Sequence, residues 1–364
     1  MKSFYIIFCL ILFCSLPGCR KSSFASPIVV SPVNNGEAGG ETGGETRTKG
    51  RPASIGIVGD TSNVNTQVNG GTVLMGGGKD VESAFKWMID RSGGGDVVVI
   101  RASGTDAYNP FIDAIGKVNS VETLKIDSRD LANNDTVANI IRNAEMLFIA
   151  GGDQSNYMKF WRGTKVHEAL NYLLNTKKAP VGGTSAGCAI MSGFYYSGEN
   201  GSVVSDEALN DPYSNKVTVY NNDFLRAPYL QNVITDQHYL TRTREGRHVI
   251  FLGRILKDHK IAAWGIAADE KTAVCIDKDG RAQVLGLSKA YFITPDLAKA
   301  PEQLLAGMPV IWKQNEQALS VYEIQASVTG NGNFNVSNFS SPDAAGGKWY
   351  WWWTENGKLN KKEK

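Results

Sequence analysis

The stretch Ala179–Met191 constrains the fold most, because its residues suit a short strand, a sharp turn and the start of a helix. At its centre, Gly183-Thr-Ser185-Ala-Gly187 has the form G-x-S-x-G, the pattern of a nucleophile elbow. Glycines flank the serine because such a turn leaves no room for Cβ atoms beside it. The turn would lift Ser185 Oγ out of the sheet and aim the Ala186 N–H at a developing oxyanion. The alternative is a glycine-rich turn with an incidental serine.

Apolar runs alternate with segments of helical periodicity around this turn. Strands are predicted at residues 71–75, 96–100, 122–126, 146–150, 230–235, 261–268 and 272–276. Helices are predicted at residues 80–91, 131–143, 156–176 and 239–257. The alternation predicts an α/β fold with a mostly parallel sheet that carries helices on both faces. The folded domain is expected to span residues 53–345, and residues 195–229 are expected to form a polar surface excursion.

The N-terminus predicts export. Residues 1–19 combine a basic start with an apolar stretch too short to span a bilayer, and they end in Leu-Pro-Gly-Cys19, which resembles a lipobox. We therefore expect a protein anchored to the bacterial envelope by a lipid on Cys19, facing the periplasm or the exterior. An ordinary signal peptide or signal anchor with a chance cysteine is the alternative. Residues 20–52 read as a flexible Gly/Ser/Glu-rich tether, and residues 346–364 as an aromatic and Lys-rich tail.

Charge and cysteine usage exclude several classes of partner and cofactor. The net charge is +2 without a strongly basic segment, so nucleic acid is not an expected partner. Cys188 and Cys275 each lie in an apolar run and are expected to be small buried hydrophobic residues. No Cys/His spacing indicates a metal site, and Gly76–Gly78 lacks the third glycine of a dinucleotide fingerprint. No metal or other cofactor is therefore expected.

Three loops are expected beside the elbow because ligands bind beyond the carboxyl ends of parallel strands. They are residues 76–79, 102–106 and 151–154. A serine needs a neighbouring base to react at neutral pH, and the chain has four histidines. Three of these, His167, His248 and His259, read as parts of polar or helical surfaces. His238 alone follows a buried strand at the end where the elbow lies, so it is the candidate base.

The acid that orients the base is also expected at a strand end. Glu270 directly follows an apolar strand, and Asp269 is its competitor. The chain order of α/β-hydrolases would instead place an acid between the serine and the histidine. That order offers Asp206, Asp211 and Asp223, which lie in the polar excursion.

Four motifs together resemble cyanophycinase and its relative, the aspartyl dipeptidase peptidase E. They are Phe148-Ile-Ala-Gly-Gly-Asp-Gln154, Gly182-Gly-Thr-Ser-Ala-Gly187, Asp236-Gln-His238 and Arg242-x-Arg244-x-x-Arg247. The resemblance covers roughly residues 70–286. It implies a class I glutamine amidotransferase-like fold, with a flavodoxin-like three-layer arrangement.

The resemblance also implies a site. Its catalytic triad would be Ser185, His238 and Glu270, with an oxyanion hole from the backbone of Gly152 and Ala186. Its substrate-binding residues would be Gln154, Asp236, Gln237, Arg242, Arg244 and Arg247. The implied substrate is an aspartyl peptide or a cyanophycin-like polymer of β-aspartyl-arginine units. Arginines suit its carboxylate, and Asp236 or another acid suits its cation.

The implied activity is that of a cyanophycinase-like serine exopeptidase. Two other functions stay open from the sequence: an aspartyl dipeptidase or α/β-hydrolase-like esterase, and a ligand-binding lipoprotein without turnover. The charge run at Arg242, Arg244 and Arg247 has a solvated helix face as its alternative, although their spacing does not place all three on one face. The sequence leaves a homodimer open.

Overall fold

The computed structural model describes residues 47–364, without the side chains of residues 340 and 341. The predicted signal peptide, Cys19 and most of the tether lie outside the described residues. Within residues 47–364, two β-sheets are flanked by helices. No helix in this range is long and apolar enough to cross a membrane.

The first sheet has ten strands in the order β1-β4-β3-β5-β6-β2-β11-β12-β15-β16. Their bounds are β1 Ser54–Gly59, β2 Gly71–Met75, β3 Asp96–Arg101, β4 Ser120–Lys125, β5 Met146–Ile149, β6 Pro180–Thr184, β11 Thr272–Asp277, β12 Arg281–Gly286, β15 Asn331–Asn335 and β16 Ser340–Ala345.

The second sheet has eight strands in the order β18-β17-β14-β13-β10-β9-β7-β8. Their bounds are β7 Phe194–Tyr196, β8 Val219–Asn221, β9 Val233–Gln237, β10 Trp264–Ala268, β13 Lys289–Pro295, β14 Leu319–Gln325, β17 Gly347–Glu355 and β18 Lys358–Glu363.

The helices lie mainly between the strands of the first half. They are α1 Glu82–Ser92, α2 Tyr108–Ile115, α3 Arg129–Ala132, α4 Asp135–Asn143, α5 Gln154–Trp161, α6 Lys165–Tyr172, α7 Ala186–Ala189, α8 Ser205–Asn210 and α9 Glu245–His259. A π-helical turn, Leu173–Lys177, extends α6, and a 3₁₀ turn spans Gln314–Glu316.

The expectation of a mostly parallel sheet is wrong, because both sheets are mixed. Strands β4, β3, β5, β6 and β2 run parallel, as do β7, β9 and β10, but the other neighbours are antiparallel. The reason lies in the connections. A parallel pair needs a crossover of a dozen or more residues, whereas the turn at Asp279-Gly280 allows only antiparallel pairing of β11 with β12.

Apolar packing on both faces of the parallel strands explains their continuous hydrophobic runs. Val97 and Val99 of β3 pack in one core with helices α1 and α2, whereas Val98 and Ile100 pack in another with α4 to α6. This alternation follows from the two-residue period of a strand. A third core lies around α9 and the second sheet.

The C-terminal residues 346–364 are part of the second sheet. Strands β17 and β18 pair with each other, and β17 also pairs with β14. Trp352 is buried and packs into the core around α9, whereas Trp349, Trp351 and Trp353 remain partly exposed. The aromatic run therefore both completes a core and coats the surface of the sheet.

The helix predicted from residue 239 begins later, at Glu245. Residues 239–244 form a loop in which Thr243 has a φ of 48° and the Thr243 N–H donates to the Leu240 carbonyl. Apolar residues with helical spacing continue into residues 239–244, and for this reason the predicted start of the helix was too early. Consequently Arg242 and Arg244 precede the helix, while Arg247 lies within it.

Candidate functional site

The predicted elbow is present at the junction of β6 and α7. Ser185 has φ 53° and ψ −116°, a conformation that L-residues rarely adopt and that concentrates at functional sites. Its N–H donates to the Met75 carbonyl of β2 at 3.0 Å, which fixes the turn. The turn is tight, since a Cβ on Gly183 would lie 2.6 Å from the Gly187 carbonyl. Close backbone approach therefore explains these flanking glycines.

Ser185, His238 and Glu270 form a continuous hydrogen-bonded chain. Ser185 Oγ lies 2.7 Å from His238 Nε2, and His238 Nδ1 lies 2.6 Å from Glu270 Oε1. His238 also has a positive φ, 49°, and its backbone N–H donates to the Gly76 carbonyl at 2.8 Å. The sequence placed all three residues at strand ends, and the structure brings these ends together. A serine, a base and an orienting acid in this order can carry out nucleophilic chemistry.

The environment keeps the His238 imidazole neutral at physiological pH. Burial lowers its pKa to about 4, against the opposing effect of the hydrogen bond to Glu270, and the charges of Arg242 and Arg244 lower it further. A neutral imidazole has an acceptor nitrogen, which is the state a base needs to take a proton from Ser185.

The glycines after β2 pack directly on this pair. A Cβ on Gly77 would lie 2.4 Å from His238 Cε1, and one on Gly78 would lie 2.8 Å from Glu270 Oε2. The sequence predicted that this loop borders the site but gave no indication of what it touches. The contacts join residues far apart in the chain, and a run of glycines carries no signal of its partner.

The two candidate acids face different partners. Glu270 contacts His238, whereas the Asp269 carboxylate turns the other way and accepts from the N–H groups of Leu240 and Thr241, each at 2.9 Å. Asp269 thereby fixes the loop that follows His238. Of the acids in the excursion, Asp206 is exposed on α8 and Asp223 pairs with Arg162 at 3.0 Å. Asp211 accepts from the Gly307 N–H at 2.9 Å.

The two backbone segments expected to form an oxyanion hole flank Ser185. Ala186 is the first residue of α7, and so its N–H has no partner within that helix. On the other side, Gly151 packs against the serine, since a Cβ there would lie 3.3 Å from Ser185 Cβ. Gly152 is the next residue and adjoins the Tyr157 hydroxyl. Gly151 therefore makes the closer contact, and Gly152 extends the same loop.

Two of the predicted substrate-binding residues are bound to each other. Asp236 and Arg247 are each 1% exposed, and the Arg247 guanidinium donates to both oxygens of the carboxylate, at 2.9 Å through Nε. Burial alone would raise the pKa of Asp236, but the charge of Arg247, its hydrogen bonds and the charge of Arg244 together outweigh burial, and the pKa is lowered. The two residues thus form a buried bidentate ion pair, whose carboxylate lies two residues before His238 along the chain.

The other two arginines differ in exposure. Arg244 is buried and donates one hydrogen bond, from Nη1 to the Gln237 carbonyl at 2.9 Å. Burial, and next the Arg247 charge, lower its pKa to about 10. The Arg242 side chain is 54% exposed and approaches Glu270 at 4.0 Å. The amide oxygen of Gln237 is enclosed and lacks a hydrogen-bond partner.

Gln154 lies at the start of α5, directly after the loop that packs on Ser185. Asp153 caps this helix by accepting from the Ser155 N–H at 2.9 Å. The Gln154 amide faces Gly198, where a Cβ would lie 3.0 Å from Gln154 Nε2. The excursion after the elbow therefore reaches the site, a contact that the sequence did not predict.

The remaining histidines and the two cysteines are structural. His167 contacts the Phe224 carbonyl at 2.7 Å, His248 is buried against the Ile234 carbonyl, and His259 packs on Phe194. Cys188 and Cys275 are buried, as expected, and both are free thiols, which the sequence had left open; burial raises the pKa of both. Residues 47–364 contain no cluster of side chains suited to hold a metal ion.

Curated relatives are similar to about half of this chain. The chain is 26% identical over 179 residues to the cyanophycinases of Trichormus variabilis and Nostoc sp., which is 48% of this chain and 53% of each relative. It is 24% identical over 181 residues to the cyanophycinase of Geminocystis herdmanii, covering 50% of this chain and 60% of that protein. The match thus spans little more than half the length of these relatives.

Two solved structures are also similar. A peptidase from an acI-B1 Actinobacterium matches with a TM-score of 0.46 and 16% identity over 67% of this chain and 93% of its own. A protein assigned as peptidase E from Listeria monocytogenes EGD-e matches with a TM-score of 0.36 and 17% identity over 61% of this chain and 100% of its own. The sequence model of peptidase family S51 matches residues 72–284, more than half of the 364 residues. The chain therefore belongs to peptidase family S51.

Proposed function

We propose that the protein is a serine exopeptidase of the cyanophycinase type, which hydrolyses aspartyl peptides through an acyl-enzyme on Ser185. The observation that carries this proposal is the hydrogen-bonded chain from Ser185 through His238 to Glu270, built on a strained elbow. Membership of a peptidase family supports the hydrolysis of an amide. A class I glutamine amidotransferase-like, flavodoxin-like core is part of the same proposal.

The reaction follows from the geometry of the three side chains. Ser185 Oγ attacks the carbonyl carbon of the scissile amide while His238 Nε2 accepts the hydroxyl proton. Glu270 holds the imidazole and stabilises its protonated form. The N–H of Ala186 and a backbone N–H of the loop at Gly152 donate to the oxyanion. His238 then protonates the leaving amine, and finally it deprotonates the water that hydrolyses the acyl ester.

Recognition of an aspartyl substrate rests on the arginines that retain free donors. Arg242 is half exposed and Arg244 makes a single hydrogen bond, and so both can clamp a substrate carboxylate. Asp236 and Arg247 satisfy each other, and we assign them to holding the β9–α9 junction rather than to contacting substrate. Gln154 and Gln237 complete the proposed lining of the pocket.

Product analysis tests this proposal. Purified protein is incubated separately with multi-L-arginyl-poly-aspartate, with aspartyl dipeptides and with acyl esters, and the supernatants are analysed by mass spectrometry. We expect soluble β-aspartyl-arginine from the polymer and no release by the Ser185→Ala variant. Preferential ester cleavage would favour an esterase, and ligand binding without any product would favour a binding protein; either result contradicts the proposal.

A further inference from the structure

The excursion of residues 195–229 is the part of the chain to which the proposed reaction gives no role. It begins in β7, where Phe194 pairs in parallel with Ile234 of β9. Parallel neighbours leave a sheet at the same edge. The chain therefore passes from β7 into Gly198 and Glu199 at the edge where β9 delivers His238.

A direct contact joins this turn to the site. Gly198, at φ 65°, packs so closely on Gln154 that a Cβ would lie 3.0 Å from the amide nitrogen. Gln154 starts α5 three residues after Gly151, which itself packs on Ser185. The residue before Glu199 therefore contacts the wall of the site that carries Gln154.

The Glu199 carboxylate is exposed yet held in place. The Tyr220 hydroxyl donates to its Oε1 at 2.7 Å. The Tyr220 ring stacks on Tyr195, with centroids 5.5 Å apart and planes 9° apart, and the Arg162 guanidinium carbon lies 5.0 Å from the Tyr220 ring centroid. Arg162 also pairs with Asp223, which accepts from the Tyr195 hydroxyl. This stack reduces the entropy that Glu199 would lose when it binds a ligand.

Glu199 lacks a cationic partner within the part of the chain that the structure describes, where no lysine or arginine forms an ion pair with it. The acid expected from the sequence, Asp236, is already neutralised by Arg247. Of these two acids, only Glu199 is free to bind a cationic group of a ligand.

We propose that Glu199 is a specificity residue that binds the cationic side chain, guanidinium or ammonium, of the aspartyl substrate. Arg242 and Arg244 then take the carboxylate of the same molecule, so that the site matches a zwitterion. The inference rests on the proposed function, since it names the substrate class of that site. It also gives the excursion a role in selecting substrate.

A pair of tetrapeptides of nearly identical shape tests this role. Each consists of two β-linked dipeptide units joined through the aspartyl backbone, so that cleavage of the joining amide releases two dipeptides. One tetrapeptide carries arginine in both units, and the other carries citrulline, whose neutral urea replaces the guanidinium. The wild-type protein should prefer the arginine tetrapeptide in kcat/KM, and Glu199→Gln should reduce that preference about twofold to fivefold, the effect of one exposed ion pair. Tyr220→Phe, which removes the hydroxyl that holds Glu199, should reduce it less. The preference should weaken with added salt.

Asp206→Asn is the matched control, because it removes an exposed carboxylate from another part of the same excursion. Asp206 lies on α8, and this helix packs against α9. This variant should keep the arginine preference. An unchanged preference in Glu199→Gln, or an equal loss in Asp206→Asn, would overturn the proposal for Glu199.

Calorimetry separates this inference from the proposed reaction. Both tetrapeptides are titrated into Ser185→Ala, with and without Glu199→Gln, so that no turnover is required. We expect tighter binding of the arginine tetrapeptide only where Glu199 is present. If the wild-type protein hydrolyses neither tetrapeptide, the proposed reaction fails, whereas equal Kd values for the two tetrapeptides in Ser185→Ala refute the role of Glu199.

Discussion

A methyl group on Gly77 should disable the site without reaching the substrate. The added Cβ of Gly77→Ala would lie 2.4 Å from His238 Cε1 and 2.6 Å from Nε2. Carbon atoms pack at about 3.5 Å or more, so the ring would have to retreat by about 1 Å. It is held by bonds of 2.7 Å to Ser185 and 2.6 Å to Glu270. A shift of this size breaks at least one of them.

The expected loss in kcat follows from the role of the base. Misplacement by about 1 Å costs about 10²-fold, and loss of a general base costs about 10²- to 10⁴-fold. We therefore expect kcat to fall at least about 100-fold in Gly77→Ala. The variant should also lose about 1–2 kcal/mol of stability, because Gly77 has φ 95°, which disfavours a Cβ.

Gly163→Ala separates these two effects. Gly163 also has a positive φ, 70°, but nothing lies within 4 Å of the position of its Cβ. Its stability should fall by a similar amount while its kcat stays at the wild-type value. Steady-state hydrolysis of the arginine tetrapeptide measures kcat, and urea unfolding measures the free energy of unfolding. A folded Gly77→Ala protein with a kcat within threefold of wild type would refute the reasoning.

Three further perturbations probe the charges of the site. Arg242→Gln removes a positive charge that lowers the pKa of His238, so the acid limb of the plot of kcat/KM against pH should move to higher pH. Arg242→Lys keeps the charge and should leave this limb in place. Identical pH profiles for the two variants would contradict the prediction. The pKa of His238 is about 4 in the folded protein and about 6.5 in the unfolded chain, so the protein loses stability as the pH falls from about 6.5 to about 4. Between pH 7 and 5, the free energy of unfolding should fall by about 2 kcal/mol less in His238→Ala than in the wild type, as measured by urea unfolding. An equal fall in both proteins would count against a buried neutral imidazole. Asp236→Ala leaves Arg247 buried and unpaired and should cost about 3–5 kcal/mol, whereas Lys165→Ala in an exposed pair should cost under about 1 kcal/mol; equal costs would show that the buried pair is not stabilising.

Local signals in the sequence were sufficient to predict the elbow and the strand end that carries His238. The glycines around Ser185 indicate, within five residues, a tight turn of the backbone, and His238 directly follows a buried strand. Both features are local, and so the pattern alone predicts them. The parallel strands around the elbow were predicted for the same reason, since their apolar runs and helical crossovers are local too.

Features that depend on long-range geometry were out of reach. Asp269 and Glu270 are adjacent, and only the position of the loop after His238 decides which carboxylate faces the ring. Asp236 and Arg247 pair across the loop of residues 239–244, which helical periodicity had merged into α9. The direction of a strand is likewise absent from its apolar pattern, and so the mixed sheets were not predicted.

Detection of an acyl group on Ser185 tests the central proposal most directly. The protein is mixed with the arginine tetrapeptide or the polymer, quenched in acid within the first turnover, and digested for peptide mass mapping. The proposed mechanism predicts an aspartyl adduct on the peptide containing Ser185, absent in Ser185→Ala and accumulating when hydrolysis is slowed. Turnover that persists in Ser185→Ala, or an adduct on another residue, would contradict it.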